Sequence, residues 1–389
     1  MELFCIFLAA LSALLWIGFA LLPWRPWSNQ EVLDGPDQSD GDEVLEEITV
    51  VIPARNEAEV IQQTLRSVMA QGPDLKIILI DDSSEDATIE KVHQIANAHL
   101  RIIESLPLPS GWSGKLWAVE QGRRLVKTAY TLLLDADIRL AQGILKALGN
   151  KMHQQKIPFI SLMAVPSMLF SWEKLLMPAF VYFFKVLYPF RRVNSPHTRA
   201  AAAAGGCILV ESRVLEQIAG FESIKSAVIH DCALARQVKS QGHKIWLGLT
   251  HSAQSIRGYQ RFTEIYDMVA RTAFSQLRYS VGLLILCTLA MLLVYELPVV
   301  GVASSNILIR YLSLGSLVIM FLTYVPILRF YQRPCAWAFA LPLVAAFFVA
   351  ATWASAIRYW RGERTRWKGR VYPREPSAIG VSRKGHSVG

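Results

Sequence analysis

The sequence is poor in the residues and spacings that mark several common classes of protein. Its five cysteines lie far apart and form no CxxC pair, so neither a zinc site nor a disulfide framework is indicated. No G-x-G-x-x-G follows the first strand-like run, which disfavours a Rossmann dehydrogenase. Charged residues make up only 18% of the chain and hydrophobic residues 52%, a balance typical of a globular domain that carries membrane segments.

Charge of one sign is absent from one stretch and scarce in another. Residues 31–47 contain eight acids and no base, and their composition predicts a solvated linker over residues 26–47. The stretch 358–389 contains nine bases and two acids and supplies most of the net charge of +9. Because this basic tail follows an apolar segment, we expect it to contact a membrane surface. No nucleic-acid-binding motif accompanies it, so no nucleic-acid partner is expected.

The run from Leu3 to Leu22 is apolar and about 20 residues long, enough to cross a bilayer. It lacks the positive start and the small-residue cleavage site of a signal peptide, so residues 1–25 are predicted to form an uncleaved anchor. Arg25 follows this run, and the positive-inside bias places the residues after it in the cytoplasm.

Three later segments are also long enough to span a membrane: Val281–Val302, Leu308–Phe330 and Cys335–Ile357. Three full crossings after a cytoplasmic domain would leave the basic tail outside, against the positive-inside rule. We therefore expect two or three crossings within residues 281–357, with one segment re-entrant or interfacial. Pro326 and Pro342 lie within the last two segments, which makes these two the candidates for the re-entrant or interfacial one.

Between residues 48 and 255, short apolar runs alternate with helical stretches. The runs are Ile48–Ile52, Lys76–Ile80, Tyr130–Leu134 and Phe159–Ala164. The helical stretches are Ala58–Gln71, Ala87–Ala98, Lys115–Lys127 and Gln142–His153. This alternation predicts a parallel sheet covered on both faces, with ligands at the carboxyl ends of its strands.

Two aromatic or apolar stretches are expected near the membrane. Residues 170–190 are strongly apolar but are interrupted by Glu173, Lys174 and Lys185, a pattern that suits a helix lying in the membrane interface. A buried core helix is the alternative. Residues 256–280 are expected to form a second interfacial region.

Acidic side chains follow several of the predicted strands. Asp81 and Asp82 end the second run, where a ligand with hydroxyl or N–H groups would offset their repulsion; alternatively, Asp82 caps a helix or turn. Asp135 and Asp137 follow the third run and, in extended backbone, would face the same side and converge on one hard cation with a diphosphate. An isolated Asp-x-Asp sequence is common and indicates little. This one follows a predicted strand and comes after the similarly placed pair Asp81-Asp82, which makes the indication of a cation site stronger.

Asp231 opens an amphipathic helix after His230. It is either a helix N-terminal acid favoured by the dipole or a general base that removes a hydroxyl proton.

These motifs, taken in order, resemble the inverting glycosyltransferases of family 2. They are Pro53-Ala54-Arg55-Asn56-Glu57, Asp81-Asp82-Ser83-Ser84, Gly114-Lys115, Asp135-Ala136-Asp137, Gly205-Gly206-Cys207 and His230-Asp231. The likeness covers residues 48–280 and is closest to the bacterial hopene-associated glycosyltransferases, which are related to ceramide glucosyltransferases. It implies a GT-A fold with a Rossmann-like mixed sheet, in a multi-pass protein of the bacterial inner membrane with its catalytic domain in the cytoplasm.

The resemblance implies a role for each motif residue. Pro53, Glu57, Asp81, Asp82 and Lys115 would bind the nucleotide part of a nucleotide-sugar donor, expected to be a UDP-sugar. Gly206 and Arg271 would also belong to the donor site. Asp135 and Asp137 would hold Mg²⁺ or Mn²⁺ on the diphosphate, and Asp231 would be the base.

The chain departs from the family pattern in two places. His230 stands where the family commonly has Glu. This difference is expected to affect the pH dependence of catalysis by Asp231. Of the family's Gln-x-x-Arg-Trp motif only Arg271 remains, and pairing with Asp267 is the alternative role for this arginine.

The expected activity is sugar transfer to a membrane lipid, such as a hopanoid. A processive polysaccharide synthase and a non-catalytic sugar-nucleotide or lipid-binding membrane protein are the alternatives. The sequence predicts no oligomeric state.

Overall fold

The computed structural model describes residues 1–35, 43–95, 97–367 and 370–373. Within these residues, one sheet forms the centre of the α/β domain (residues 48–255). Its strands are β1 Ile48–Ala54, β2 Lys76–Asp81, β3 Leu100–Glu104, β4 Tyr130–Leu134, β5 Ile138–Leu140, β6 Phe159–Val165, β7 Cys207–Glu211 and β8 Ile245–Ser255. A separate hairpin near the C-terminus pairs β9 Glu363–Trp367 with β10 Arg370–Pro373.

The helices fall into three groups along the chain. Before and within the α/β domain they are α1 Glu2–Leu21, α2 Glu43–Glu46, α3 Ile61–Met69, α4 Thr88–His93, α5 Gly114–Leu125, α6 Ile144–Gln155, α7 Ser171–Leu187, α8 Phe190–Asn194, α9 Ser212–Gln217 and α10 His230–Ser240. After it come α11 Phe262–Ala270, α12 Ala273–Gln276, α13 Val281–Met291, α14 Leu297–Gly301, α15 Ile307–Phe330 and α16 Leu341–Trp360. Shorter turns of helix are Glu222–Ile224, Leu292–Glu296 and Cys335–Ala340.

The sheet has the strand order β3-β2-β1-β4-β7-β6-β8-β5 and is mixed. Strands β1, β2, β3 and β4 run parallel, whereas β7 runs antiparallel to both β4 and β6. The mixed GT-A-type sheet is confirmed, and the purely parallel sheet expected from the alternation alone is wrong. The four predicted strands are present, but β3, β5, β7 and β8 had not been predicted.

Side chains alternate between the two faces of the sheet, as the two-residue period of a strand requires. On one face, Ile52 and Leu79 pack with Leu65 of α3 and Leu148 of α6. On the other face, Val51, Ile78 and Leu133 belong to a larger core that includes Leu116 of α5 and continues through α7 into the apolar helices. The α/β domain and the apolar helices therefore share one hydrophobic core.

In the part of the chain that the structure describes, four helices are long and apolar enough to cross a membrane, judged by length and composition: Glu2–Leu21, Val281–Gly301, Ile307–Phe330 and Cys335–Trp360. Helices α1 and α15 run in the same direction, because Asn306 donates to Glu2 Oε1 at 2.7 Å and Asn29 donates to Pro326 O at 2.8 Å. Trp16 of α1 also donates to Val294 O at 2.8 Å.

The segment 335–360 begins near the end of α15 and ends near the start of α13. It follows Phe330, whose ring stacks on His251 of β8 at 4.0 Å. Its other end packs Tyr359 on Tyr279, 4.2 Å between ring centroids, just before α13. Between these ends, Phe339 contacts Phe321, which is about 13 Å from Phe330 along α15 at 1.5 Å per residue.

Two segments are held by contacts that their composition does not predict. Within the stretch 31–35, Val32 bridges Leu249, and Asp34 accepts a hydrogen bond from Thr250 Oγ1 at 2.9 Å. Residues 36–42 and 374–389 lie outside the described residues. In α7, the charged residues Glu173 and Lys185 that interrupt the apolar run are buried and hydrogen-bonded. The placement of α7 in a membrane interface stays a prediction.

Candidate active site

The carboxyl ends of β1, β2 and β4 meet at one edge of the sheet and bring three of the sequence motifs together. Ala54 pairs with Asp81 across β1 and β2, and Asp135 follows directly after β4. The loops after β1 and β2 are tied to each other, since Arg55 Nη1 donates to Asp82 O at 2.5 Å and Glu85 N donates to Asn56 Oδ1 at 2.8 Å. The predicted donor-binding loops are therefore adjacent and mutually fixed.

Asp81 and Asp82 have different surroundings. Asp81 accepts hydrogen bonds from Ser84 Oγ at 2.5 Å and from Ser84 N at 3.2 Å, so it caps the turn after β2. The alternative predicted from the sequence was that Asp82, and not Asp81, caps a helix or turn. Asp82 is buried, with 2% of its surface exposed, and its N–H donates to Ala54 O at 2.8 Å.

Asp135 and Asp137 lie in a turn and not in extended backbone. The turn is closed by a hydrogen bond from Ile138 N to Asp135 O at 3.1 Å. Burial raises the pKa of Asp137, and repulsion from Asp135 raises it further. Ser255 Oγ donates to Asp137 Oδ2 at 2.9 Å. The two carboxylates are thus close enough to repel each other, which is the arrangement that a divalent cation stabilises.

Lys115 lies against Asp135, and its assignment to the nucleotide side of the donor stays a prediction. Its Nζ is 2.5 Å from Asp135 Oδ1. Gly206 contributes its backbone, since its carbonyl accepts the N–H of Asp135 at 3.0 Å. Pro53 lines a small crevice together with Lys115, Asp135 and Asp231. Four residues from different motifs therefore converge around one space.

Asp231 opens α10 and reaches this crevice because Gly205 leaves room for it. A Cβ on Gly205 would lie 3.1 Å from Asp231 Oδ2, closer than ordinary van der Waals contact. Burial raises the pKa of Asp231, and the charge of Asp135 adds to the rise, while Lys115 opposes it. A carboxylate with a raised pKa is a better proton acceptor, as a general base requires.

His230 adds no charge to the crevice at neutral pH. Burial lowers the pKa of His230 to about 3, and the positive charges of Lys115 and Arg271 contribute to the drop. The imidazole is therefore neutral and titrates far below the working range of most enzymes.

Arg271 lines the same site. Asp267, the alternative partner of Arg271, forms an ion pair with Arg358 of α16. Arg271 faces a cavity of about 600 Å³ that has Asp135, Lys115, His230 and Asp231 at one end. The rest of this mostly apolar cavity is lined by α7, α11, α12, α13 and α16, through residues that include Phe180, Phe183, Phe184, Met268, Leu284, Cys287, Met291 and Phe348.

Sequence reasoning missed the segment after β8. Ile256 N donates to Asp137 O at 2.9 Å, and Arg257 forms an ion pair with Glu57 across the donor loops. Burial raises the pKa of Tyr259, whose charged neighbours include Arg271 and Asp137. No sequence signal marks these residues, since β8 itself is partly polar and was not predicted.

Within the described residues no group of three or more His, Cys, Asp or Glu side chains could hold a metal ion by itself. Asp135 and Asp137 would therefore supply only part of a coordination shell. A diphosphate would have to provide further oxygens, in agreement with the expected donor.

Comparison with known proteins connects this site to a family. Residues 49–219 match the model of Glycosyl transferase family 2. The chain is 28% identical over 123 residues to 4,4'-diaponeurosporenoate glycosyltransferase of Staphylococcus haemolyticus, covering 32% of each protein. It is 32% identical over 94 residues to the poly-beta-1,6-N-acetyl-D-glucosamine synthase of Staphylococcus epidermidis, covering 24% of this chain and 22% of that protein. The chain thus matches a third or less of the length of these curated relatives.

The fold has a wider match. A mannosyltransferase from Pyrobaculum calidifontis, solved in complex with GDP-Man and Mn²⁺, has a similar fold with a TM-score of 0.54 and 16% identity, over 92% of this chain and 100% of that one. At this identity the likeness concerns the fold alone. Residues 49–219 are therefore similar in sequence to glycosyltransferase family 2, and the mixed sheet that they belong to has the GT-A architecture.

Proposed function

We propose that this protein transfers a sugar from a nucleotide-sugar donor, a UDP-sugar, to the hydroxyl group of a membrane lipid, with inversion at the anomeric carbon. The observation that carries this proposal is the apolar cavity, because Asp231 and Asp135 lie at one end of it and mostly apolar side chains of α7, α11–α13 and α16 line the rest. A hydrocarbon body would occupy the apolar part and present its hydroxyl to Asp231. A hopanoid is one such lipid.

The donor would lie along the edge of the sheet. Pro53, Glu57 and Asp82 would contact the nucleoside, and Asp135 and Asp137 would hold Mg²⁺ or Mn²⁺. The bound cation would neutralise the charge that develops on the leaving diphosphate. The repulsion between the two carboxylates supports this assignment, and so does the Mn²⁺ in the mannosyltransferase of similar fold.

The reaction needs one base and one leaving group. Asp231 accepts the proton of the lipid hydroxyl, the hydroxyl oxygen forms a bond to the anomeric carbon, and the bond from that carbon to the diphosphate breaks. The nucleoside diphosphate leaves with the electron pair. Arg271, which faces the same cavity, stabilises the negative charge of the diphosphate.

The arrangement of the helices supports a topology in which the α/β domain and the C-terminus share the cytoplasmic side. We propose that α1, α13–α14 and α15 cross the inner membrane and that the segment 335–360 is re-entrant. The segment begins just after Phe330, which packs on the α/β domain, and it ends against Tyr279, just before α13. A reporter fused to the C-terminus should be cytoplasmic. A reporter found outside would contradict the re-entrant segment.

The test of the function is transfer itself. The purified full chain, in vesicles that contain extracted bacterial lipids, is incubated with UDP-sugars or GDP-mannose and Mn²⁺, and the lipids are examined by mass spectrometry. We expect one hexose on one lipid, dependent on the cation and abolished by EDTA. The absence of transfer with every donor would contradict the proposal. Lipid analysis of a deletion strain then identifies the acceptor.

The polysaccharide synthase among the relatives makes processive synthesis the second candidate. It predicts a ladder of products, whereas the apolar cavity favours a single transfer to a lipid. The length of the product in the same assay decides between them.

A further inference from the structure

The segment Ser255–Tyr259 forms a strap across the site, and it is fixed at both ends. At its start, Ser255 Oγ donates to Asp137 Oδ2 at 2.9 Å and Ile256 N donates to Asp137 O at 2.9 Å. At its end, Tyr259 N donates to Glu173 Oε1 at 2.5 Å, and Trp172 Nε1 donates to Tyr259 O at 2.8 Å.

The anchor at the end of the strap is rigid. Glu173 is fully buried, with 0% of its surface exposed, and its Oε2 accepts the N–H groups of Leu169 at 2.7 Å and Phe170 at 2.9 Å. Gly258 packs closely against this anchor, since a Cβ there would lie 3.3 Å from Leu169 Cδ1. The backbone of the strap is therefore held, and the side chain of Arg257 is the part that is able to move.

Arg257 reaches from the strap to the opposite wall of the site. Its guanidinium forms an ion pair with Glu57, which lies in the loop after β1. The Glu57 side chain is 9% exposed and the Arg257 side chain 34% exposed. The pair therefore spans from the strap to the donor loops and has the arginine on its more open side.

Arg257 lies next to Asp137, so the diphosphate of a bound donor would be a second partner within reach of its guanidinium. The residue before it donates its backbone N–H to Asp137 O, so the long arginine side chain starts beside the carboxylates that would hold the cation and the diphosphate. An arginine fork matches phosphate oxygens with two parallel hydrogen bonds and keeps its charge at any working pH. A carboxylate such as Glu57 accepts hydrogen bonds from the hydroxyl groups of a ribose.

We propose that Arg257 is a donor-binding residue that exchanges partners. It rests on Glu57 in the free protein, and when the donor binds it moves to the diphosphate, so that Glu57 is released to the nucleoside. This inference rests on the proposed function. The exchange makes the site selective for nucleoside diphosphates over nucleosides, because a nucleoside alone must break the ion pair without supplying phosphate oxygens in return.

The exchange is tested by the ratio of the affinity for a nucleoside diphosphate to the affinity for the corresponding nucleoside. UDP and uridine are titrated calorimetrically into the full chain in detergent with Mn²⁺, with GDP and guanosine in parallel. Arg257→Gln should weaken diphosphate binding by about tenfold or more, as expected for lost hydrogen bonds to a charged group, and should leave nucleoside binding equal or tighter. Arg257→Lys should lie between the two proteins. The control is Arg261→Gln, because Arg261 is exposed; it should change neither affinity.

The outcomes separate the inference from the function on which it rests. If the ratio of diphosphate affinity to nucleoside affinity in Arg257→Gln equals that of wild type, the exchange is overturned. This holds whether both affinities are unchanged or both fall by the same factor. The second result is the one expected if Arg257 only braces the strap. Wild-type protein that binds none of the nucleoside diphosphates would remove the proposed function itself.

Discussion

The ammonium group of Lys115 lies 2.5 Å from the carboxylate of Asp135 and also lowers the pKa of Asp231. One cation of the protein therefore acts on both halves of the site, the carboxylates expected to bind metal and the expected base. Burial and Asp135 push the pKa of Asp231 upward, and Lys115 limits the rise.

Removing this charge should move the pH profile of the enzyme. In Lys115→Met the pKa of Asp231 rises, so the acid limb of the profile of kcat against pH shifts to higher pH and turnover at neutral pH falls. The control is Lys127→Met, since Lys127 is exposed beyond the end of α5. An acid limb at the same pH in Lys115→Met would show that Lys115 does not act on the base.

Gly205 is required by the position of the base. In Gly205→Ala the new Cβ would lie 3.1 Å from Asp231 Oδ2, and the carboxylate must shift. Misplacement of a catalytic group is costly, so we expect kcat to fall by about tenfold to a hundredfold while KM for the donor changes little. Gly18→Ala is the matched control, because nothing lies within 4 Å of a Cβ at that position. Equal kcat for Gly205→Ala and wild type would contradict the placement of Asp231.

His251 joins the α/β domain to the end of α15 and should make stability depend on pH. Its Nδ1 is 3.0 Å from Asp34 and its Nε2 is 3.0 Å from Phe330 O. Burial disfavours the charged ring, but the hydrogen bonds to Asp34 and Phe330 outweigh burial and raise the pKa of His251. The stabilisation is therefore complete below the unfolded pKa of about 6.5 and is lost as pH rises through the higher folded value.

Thermal unfolding between pH 6 and pH 9 tests this sign. The wild-type Tm should fall as pH rises across this window, and His251→Gln should lower the Tm at pH 6 and reduce the slope. A wild-type Tm that rises across the same range, or a slope that is the same in the variant, would contradict the account.

The apolar cavity is tested by filling it from α13. Cys287 lines the cavity, whereas Leu286 is 62% exposed on the outside of the same helix. Cys287→Trp should reduce transfer to lipid by at least about tenfold, because a bulky acceptor no longer fits, and should leave UDP affinity unchanged. Leu286→Trp should retain both. Full transfer by Cys287→Trp would place the acceptor elsewhere.

Much of this architecture is predictable because it depends on local patterns. Continuous apolar runs marked β1, β2, β4 and β6, since strands buried on both faces have no polar alternation to obscure them. The order of the motifs indicated the GT-A fold. Two of the four strands that escaped prediction did so for physical reasons: β5 has three residues, and β8 continues through the polar stretch that ends at Ser255.

The fine geometry of the site was less accessible from the sequence. The DxD acids were expected in extended backbone, but a turn brings Asp135 and Asp137 together. The acidic composition of residues 31–35 indicated a solvated linker, yet Asp34 is fixed by His251, a residue 217 positions away. The pairing of Glu57 with Arg257 also joins distant parts of the chain. Such contacts depend on tertiary structure, which local composition does not report.

The central claim is that Asp231 removes the proton of the acceptor hydroxyl. The most direct measurement compares Asp231→Asn with wild type, using single-turnover transfer of labelled sugar to lipid and calorimetric titration of UDP with Mn²⁺ on the same preparations. The account predicts that transfer falls by about 10²–10⁴, the usual contribution of a general base, and that UDP affinity is retained. Transfer by Asp231→Asn at the wild-type rate would contradict it.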